Sequence, residues 1–165
     1  LRLEKAFPLY GNDINEDYTP FHVGLDRWIR FDKRDFIGRD ALLRLQQTGL
    51  DRRWVGLTLQ GDIPAAVNAT VWSVGAVNPN DETMYSGPEA GSKKDRILPG
   101  EEVGHVTFSE RGHTVGKILA LAYVRTSHSY PGSRLLVDVK GKPVPAVVTP
   151  TPFFDPQGAR LRAKA

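Results

Sequence analysis

The sequence predicts a mainly β protein, a small antiparallel barrel or sandwich that follows one short helix. Two patterns carry that expectation. From Arg53 onward the apolar residues switch from helical spacing to strict alternation, and segment after segment alternates with no helical stretch between them. In addition, 16 glycines and 12 prolines in 165 residues punctuate the chain with turns.

The first 35 residues hold turn signals rather than periodic structure. Gly11-Asn12-Asp13, Asn15-Glu16-Asp17 and Thr19-Pro20 interrupt the chain, because Asn and Asp tolerate turn geometry and a residue before proline avoids the helical region. Only Arg27–Phe31 alternates, which predicts a short half-buried strand carrying Trp28. The one clear helix comes next, over 36–48. Asp35 stands as its cap, Ile37, Ala41, Leu42 and Leu45 form its apolar stripe, and Gly49 ends it.

The strands follow. Val55, Leu57 and Leu59 alternate with Gly56, Thr58 and Gln60, Val67–Val74 is rich in β-branched and aromatic residues, and Val103–Phe108 follows a Pro99-Gly100 turn. Ile118–Val124 is continuously apolar and predicts a strand covered on both faces. Leu135–Val139 and Val144–Val148 flank Lys140-Gly141-Lys142, a hairpin whose Pro143 and Pro145 put the last strand at an edge or stand at its start. Asn78–Gly100 is polar and aperiodic and predicts a long surface loop.

Composition excludes several chemistries. No cysteine means no disulfide, no thiol nucleophile and no thiolate-held metal. The four histidines, His22, His105, His113 and His128, lack ligand spacing, and no GxSxG elbow occurs. Gly112-His113-Thr114-Val115-Gly116-Lys117 resembles part of a phosphate-binding loop, but Arg111 and Ile118 stand where that motif needs glycine and a hydroxyl. It reads as a turn feeding the apolar strand. Glu101-Glu102 reads as a solvated turn, and the sequon Asn68-Ala69-Thr70 falls within a predicted strand. A net charge of +3, with basic residues dispersed among acids, does not make a nucleic-acid-binding stripe. No apolar run reaches the roughly 18 residues of a membrane span.

Several motifs in a fixed order resemble one family. Leu1-Arg2-Leu3-Glu4-Lys5-Ala6-Phe7-Pro8-Leu9-Tyr10-Gly11-Asn12-Asp13-Ile14, Thr19-Pro20 with Gly24-Leu25, and Asp35-Phe36-Ile37-Gly38-Arg39-Asp40-Ala41-Leu42 make its first part. Gly104-His105-Val106-Thr107, Gly112–Lys117, Leu119–Val124, Gly141-Lys142 and Pro152-Phe153-Phe154-Asp155-Pro156 make its second. Together they resemble the glycine cleavage system T protein, the tetrahydrofolate-dependent aminomethyltransferases, which also include the folate domains of dimethylglycine and sarcosine dehydrogenases. Leu1, in mid-segment and uncapped, reads as a chain cut from a longer one.

The resemblance implies a Greek-key-like antiparallel β-barrel behind a linking helix and the tail of an α+β folate-binding domain. Residues 1–50 would be that tail and helix, and 51–165 the barrel. It implies transfer of a one-carbon unit from an amine or methylated donor to tetrahydrofolate, with the catalytic carboxylate and most folate contacts upstream of Leu1, so that this chain carries no catalytic residue and is silent alone. The positions it marks as folate contacts are Arg27, Trp28, Phe153 and Phe154, while Arg2 and Glu4 match a structural ion pair. The family's usual turn sequence appears here altered as Val106-Thr107-Phe108-Ser109.

The partners implied are the upstream part of the same protein and a lipoyl carrier protein or flavin oxidoreductase domain. A dehydrogenase-type parent, towards which Leu3-Glu4-Lys5 and Gly112-His113 lean, would add FAD in a domain further upstream. The expected location is the cytoplasm, or the mitochondrial matrix in a eukaryote. The alternative is a non-catalytic barrel that docks a carrier or flavin domain, with the 78–100 loop as its contact.

Overall fold

The computed structural model describes residues 1–75 and 98–162. Six antiparallel strands, β1 (Arg52–Leu59), β2 (Thr70–Val74), β3 (Pro99–Gly112), β4 (Lys117–Arg125), β5 (Arg134–Val139) and β6 (Lys142–Thr149), close a barrel in the order β1-β4-β3-β2-β5-β6. The run β1-β4-β3-β2 is a Greek key, because β1 lies beside β4 rather than beside β2. The mainly β barrel is therefore as the sequence predicts.

Alternation decides what fills the interior. Leu57 and Leu59 of β1, Val71 of β2, Val103 and Val106 of β3, Ile118, Ala120, Ala122 and Val124 of β4, Leu135, Val137 and Val139 of β5, and Ala146 and Val148 of β6 form one core. Ala65 and Ala69, on the connection from β1 to β2, belong to the same core. Closure needs backbones to approach closely at Gly104 in β3. A Cβ there would collide with the carbonyl oxygen of Tyr123 on β4.

β4 is buried on both faces, as its unbroken apolar run predicts, and every residue from Ile118 to Val124 is 0–1% exposed. Its outward Leu119 and Leu121 are covered by Leu3 of the first helix, α1 (Arg2–Lys5), with Trp54, Phe108 and Phe153 around them. Of the two places the sequence allows its prolines, an edge or the start of the strand, the structure has them at the start of β6. Ala146–Thr149 pairs with β1, and Pro145 O accepts Gln60 N–H (2.9 Å) just past its end, whereas Pro143 pairs with β5 alone.

Several expectations are corrected. Arg27–Phe31 is not a strand. Asp26–Trp28 is a 3₁₀ turn held by Trp28 N–H to Leu25 O (3.0 Å) and Ile29 N–H to Asp26 O (2.9 Å), and alternation over five residues could not outweigh these local bonds. The main helix, α2 (Arg39–Thr48), begins four residues after Asp35. The Asp35 carboxylate accepts its neighbour's amide, Phe36 N–H (2.9 Å), and Gly38 enters the helix at φ 88°, outside helical space. Ile37 is left fully exposed, and α2 buries none of its residues.

Pro99-Gly100 and Glu101-Glu102 lie within β3 rather than in a turn, and Glu101 pairs there with Arg125 of β4 (2.7 Å). Val106–Ser109 is also mid-strand, and the register slips between Val106 and Phe108, so Thr107 is an extra, bulged residue. Asn68 sits at φ 63° in the turn before β2, so the sequon straddles a turn and a strand start. The predicted 78–100 loop lies, up to residue 97, outside the described residues. Among the described residues no helix is long and apolar enough to cross a membrane.

Candidate functional site

The residues that precede the barrel are bound to its outer surface by three carboxylates, each with a different set of donors. Glu4, in α1, is buried, and its Oε1 accepts the backbone N–H groups of Thr114 (2.6 Å) and Val115 (3.2 Å) while its Oε2 accepts the Thr114 hydroxyl (3.1 Å). Burial opposes the charge on Glu4. These three donors outweigh burial and hold the carboxyl below its ordinary value. The phosphate-loop-like turn Gly112–Lys117 therefore does cradle an anion, and that anion is Glu4.

Asp13 is the second hub and is fully buried. Its Oδ2 accepts the Leu9 amide (2.9 Å) and the Arg2 guanidinium (2.6 Å), and its Oδ1 accepts the Thr107 hydroxyl (2.5 Å). Trp54 Nε1–H in turn donates to the Thr107 hydroxyl (3.2 Å), so the bulge in β3 aims Thr107 into a chain running from β1 to the N-terminal loop. Arg2 also lies 4.5 Å over the Phe108 ring. Arg2 and Glu4 are structural, as the resemblance implies, but they do not pair with each other. One binds Asp13 and the other the hairpin turn.

Asp155 is the third. It accepts Lys5 Nζ (3.0 Å) and the Ala159 amide at the start of α3 (Ala159–Arg162) (2.7 Å), and the Lys5 bond above all holds its carboxyl below the usual range. The tail is also tied to α1 through Phe154 N–H to Glu4 O (3.1 Å).

A column of rings anchors the next segment. Tyr123, fully buried on the outward side of β4, donates its hydroxyl to the Asp13 carbonyl (2.7 Å) and stacks on Tyr18 with centroids 3.7 Å apart and planes 11° apart. Burial raises the phenol's pKa well above its ordinary value, so it remains a donor. Tyr18 meets His22 edge-on (5.7 Å), and His22 Nδ1 accepts the Thr19 amide (3.1 Å), leaving Nε2 to face Asp51 (3.5 Å). Arg52 first, and His22 after burial's opposing effect, hold the Asp51 carboxyl low. His105, beside Tyr123, is pushed down by burial and by the nearby Arg52 charge.

From this anchored stretch the chain runs to the residues the resemblance marks. Trp28 is 70% exposed, and the Arg27 guanidinium lies 5.4 Å from its ring centroid. A shallow cleft of about 190 Å³ opens nearby between the turn and the C-terminal end of α2, lined by Phe21, Asp26, Leu45, Leu50 and Arg53 among others. That is below the ~300 Å³ at which cavities hold drug-sized ligands, so this cleft alone does not enclose a pterin. Phe153 and Phe154 lie elsewhere, in the tail. Phe153 packs in the outer cluster with Leu3 and covers Gly56 so closely that a Cβ there would meet its ring at 2.5 Å. Phe154 carries Arg160 over its ring at 5.0 Å. The structure thus brings Arg27 to Trp28 and Phe153 to Leu3, in two separate places.

Sequence reasoning missed Asp13, Thr107, Tyr18 and Tyr123. Asp13 looked like one more turn residue, and only its place within the motif Pro8-Leu9-Tyr10-Gly11-Asn12-Asp13 could have singled it out. Among the described residues no group of three or more potential ligands could hold a metal ion, and every buried side-chain nitrogen or oxygen has a hydrogen-bond partner.

These contacts define a Greek-key barrel module whose outer face is closed by a charge-locked N-terminal segment and a returning C-terminal tail. The chain belongs to the glycine cleavage T-protein C-terminal barrel domain family, whose model matches residues 52–155. The similarity extends over the N-terminal segment as well. The chain is 38% identical over 154 residues to an aminomethyltransferase of Thermosynechococcus vestitus, covering 93% of this chain and 35% of that protein. With an aminomethyltransferase of Synechococcus elongatus it shares 34% over 163 residues, 98% of this chain and 37% of the relative. The crystal structure of glycine cleavage system aminomethyltransferase T from Bartonella henselae superimposes with a TM-score of 0.74 at 26% identity, over 94% of this chain and 37% of that one. The chain therefore spans little more than a third of the length of the relatives it matches.

Proposed function

We propose that the chain is the C-terminal part of a tetrahydrofolate-dependent aminomethyl or methyl transferase, which passes a one-carbon unit from an amine or methylated donor to the folate. The observation that carries this reading is the extent of the likeness. Segment, helix and barrel together, over 94% of the chain, match the aminomethyltransferase fold at 26% identity, so the likeness is not to the barrel alone. In this reading residues 1–50 complete a folate-binding domain whose remainder is supplied by the upstream part of the same protein, and the barrel of 51–165 closes it from one side.

Of the four positions the resemblance marks, Arg27 and Trp28 are the exposed ones and have surface to offer a folate. The planar guanidinium over an exposed indole provides a flat cationic and aromatic face of the kind that orients a heteroaromatic ring or its carboxylate tail. Phe153 and Phe154 are engaged with Leu3, Gly56 and Arg160, and in this reading they support the site from behind. The folate would supply the nucleophilic nitrogen that accepts the carbon. Carboxylate chemistry at that nitrogen belongs to the upstream part.

The named relatives are aminomethyltransferases, which supports a parent without a flavin domain over the dehydrogenase type. The reading places the parent in the cytoplasm, or in the mitochondrial matrix of a eukaryote, with a lipoyl carrier as the donor's vehicle.

Titration of tetrahydrofolate tests it. The isolated chain should show no tight saturable binding, whereas the chain joined to the upstream two-thirds of an aminomethyltransferase should bind folate and form methylene- or methyl-folate from a one-carbon donor. Failure of the joined protein to do either would refute the reading, and Trp28→Ala in it should weaken folate binding.

A further inference from the structure

The Arg27–Trp28 turn is exposed, yet the chain leading to it is held by a run of backbone hydrogen bonds. From Thr19 to Ile29 successive backbone bonds knit one turn to the next: His22 N–H to Thr19 O (3.0 Å), Leu25 N–H to Pro20 O (2.9 Å), Trp28 N–H to Leu25 O (3.0 Å) and Ile29 N–H to Asp26 O (2.9 Å). Such a chain of turns moves as one piece, so its placement is set where it is fastened. It is fastened to the barrel at two points. At His22 the carbonyl accepts Trp54 N–H of β1 (2.8 Å). At Tyr18 the ring stacks on Tyr123, whose own hydroxyl is held by the Asp13 carbonyl.

A single fastening at His22 would leave the segment free to pivot. The Tyr18 stack, four residues earlier and on β4 rather than β1, removes that freedom. Tyr123 suits the task because its position is fixed three ways: by the β4 ladder to Trp54 and His105, by complete burial, and by its hydroxyl bond. The hydroxyl also explains the choice of tyrosine over phenylalanine on this outward face, since it joins the loop that holds Asp13 to the same ring that holds Tyr18.

We propose that Tyr123, through its stack on Tyr18, is a positioning residue that fixes where the Arg27–Trp28 turn stands on the barrel and so where the chain meets folate. The second half rests on the function proposed above. The first half, that the stack holds the turn, does not.

The test uses Tyr18, which is only half-buried, so that its replacement leaves the barrel core intact. In the whole chain, Tyr18→Ala should speed amide hydrogen exchange at Leu25, Trp28 and Ile29 by about three- to tenfold, the range an aromatic pair is worth, while the amides of β4 keep their rates. Tyr18→Phe should restore slow exchange. In the chain joined to the upstream part of an aminomethyltransferase, Tyr18→Ala should raise KM for tetrahydrofolate by a similar factor and leave kcat within about twofold.

Unchanged exchange at the three amides would overturn the proposal, and so would an equal rise throughout β4, which would mean general loosening. A kcat loss with KM unchanged would overturn it as well. If exchange rises locally but the unsubstituted joined protein does not use folate at all, the positioning stands and the proposed function fails.

Discussion

Replacing the Asp13 carboxylate separates the worth of its charge from that of its hydrogen bonds. Asp13→Ala strips three donors of their acceptor. The Leu9 amide then loses its acceptor at a partly buried position, at a cost near the lower end of about 1–3 kcal/mol. The Thr107 hydroxyl loses less, because the Leu121 carbonyl lies 3.2 Å away and can take its proton. The Arg2 side chain is 26% exposed, so water and the Phe7 carbonyl at 3.0 Å compensate most of what it loses, and its share is discounted to about 1 kcal/mol. The expected total is about 3 kcal/mol, the lower end of what breaking a buried pair costs.

Asp13→Asn has a different accounting. The amide oxygen can face Leu9 N–H and Arg2, and the amide nitrogen can donate to Thr107 Oγ1, which rotates its own proton to Leu121 O. All groups stay bonded and only the charge is lost, so about 1 kcal/mol is expected. Urea denaturation and thermal melting at pH 7 measure both. The alanine variant should lose roughly 6–12 °C in Tm by the usual conversion for a chain of this size, and the asparagine variant a third of that. Equal losses for the two variants, or less than about 1 kcal/mol for alanine, would refute the view that Asp13 acts as an acceptor for three donors.

Two further outcomes follow from the same geometry. Because the Glu4 carboxyl is held below its ordinary value, it binds its proton more readily in the unfolded chain. Its contribution is therefore present above the ordinary carboxylate pKa and is lost as pH falls through the lowered one, so melting temperature should fall more steeply below about pH 4.5 in the unaltered chain than in Glu4→Gln; parallel curves would contradict this. Gly104→Ala should cost more than any exposed substitution and disrupt folding, because its Cβ meets backbone that cannot move without parting β3 from β4; a two-state urea transition within about 1 kcal/mol of the unaltered chain would show that the strands can yield.

What the sequence reveals follows the range of the interactions. The barrel strands are legible because alternation is local, and the double burial of β4 is legible because its apolar run is unbroken. What covers the outer face of β4 is not legible, since Leu3 meets Leu119 and Leu121 across more than a hundred residues. The turn Gly112–Lys117 is recognisable as a turn, but that it holds a carboxylate depends on Glu4, equally distant. The Arg2 and Glu4 pairing fails for the same reason: two charges two residues apart in sequence find opposite partners elsewhere. Asp35 misleads because a cap residue is recognised by type, whereas the helix start was decided by the backbone of Gly38. Thr107 is hidden because an outward polar residue reads as solvated: the bulge leaves Thr107 and Phe108 both on the outer side of β3, where Trp54 and the distant Asp13 cover the threonine.

From these contacts the expected division at residues 50 and 51 should separate elements in order rather than units of stability. A barrel cut at that point would keep its interior, and Trp54, Phe108 and Phe153 would still flank Leu119 and Leu121, but both leucines would lose Leu3 and Tyr123 would lose Tyr18. Full burial of a side chain of this size is worth about 1.5–3 kcal/mol, so even partial uncovering of three removes a sizeable share of the ~5–15 kcal/mol that holds a domain. The Thr114 and Val115 amides and the Tyr123 hydroxyl would lose Glu4 and Asp13 as well, though water can replace those acceptors. Residues 51–165 alone should thus fold weakly if at all, bind a hydrophobic dye and melt with low cooperativity, and adding a peptide of residues 1–25 should restore a sharp transition. A cooperative melt of the barrel fragment at the temperature of the whole chain would show that the N-terminal segment rests on the barrel without supporting it.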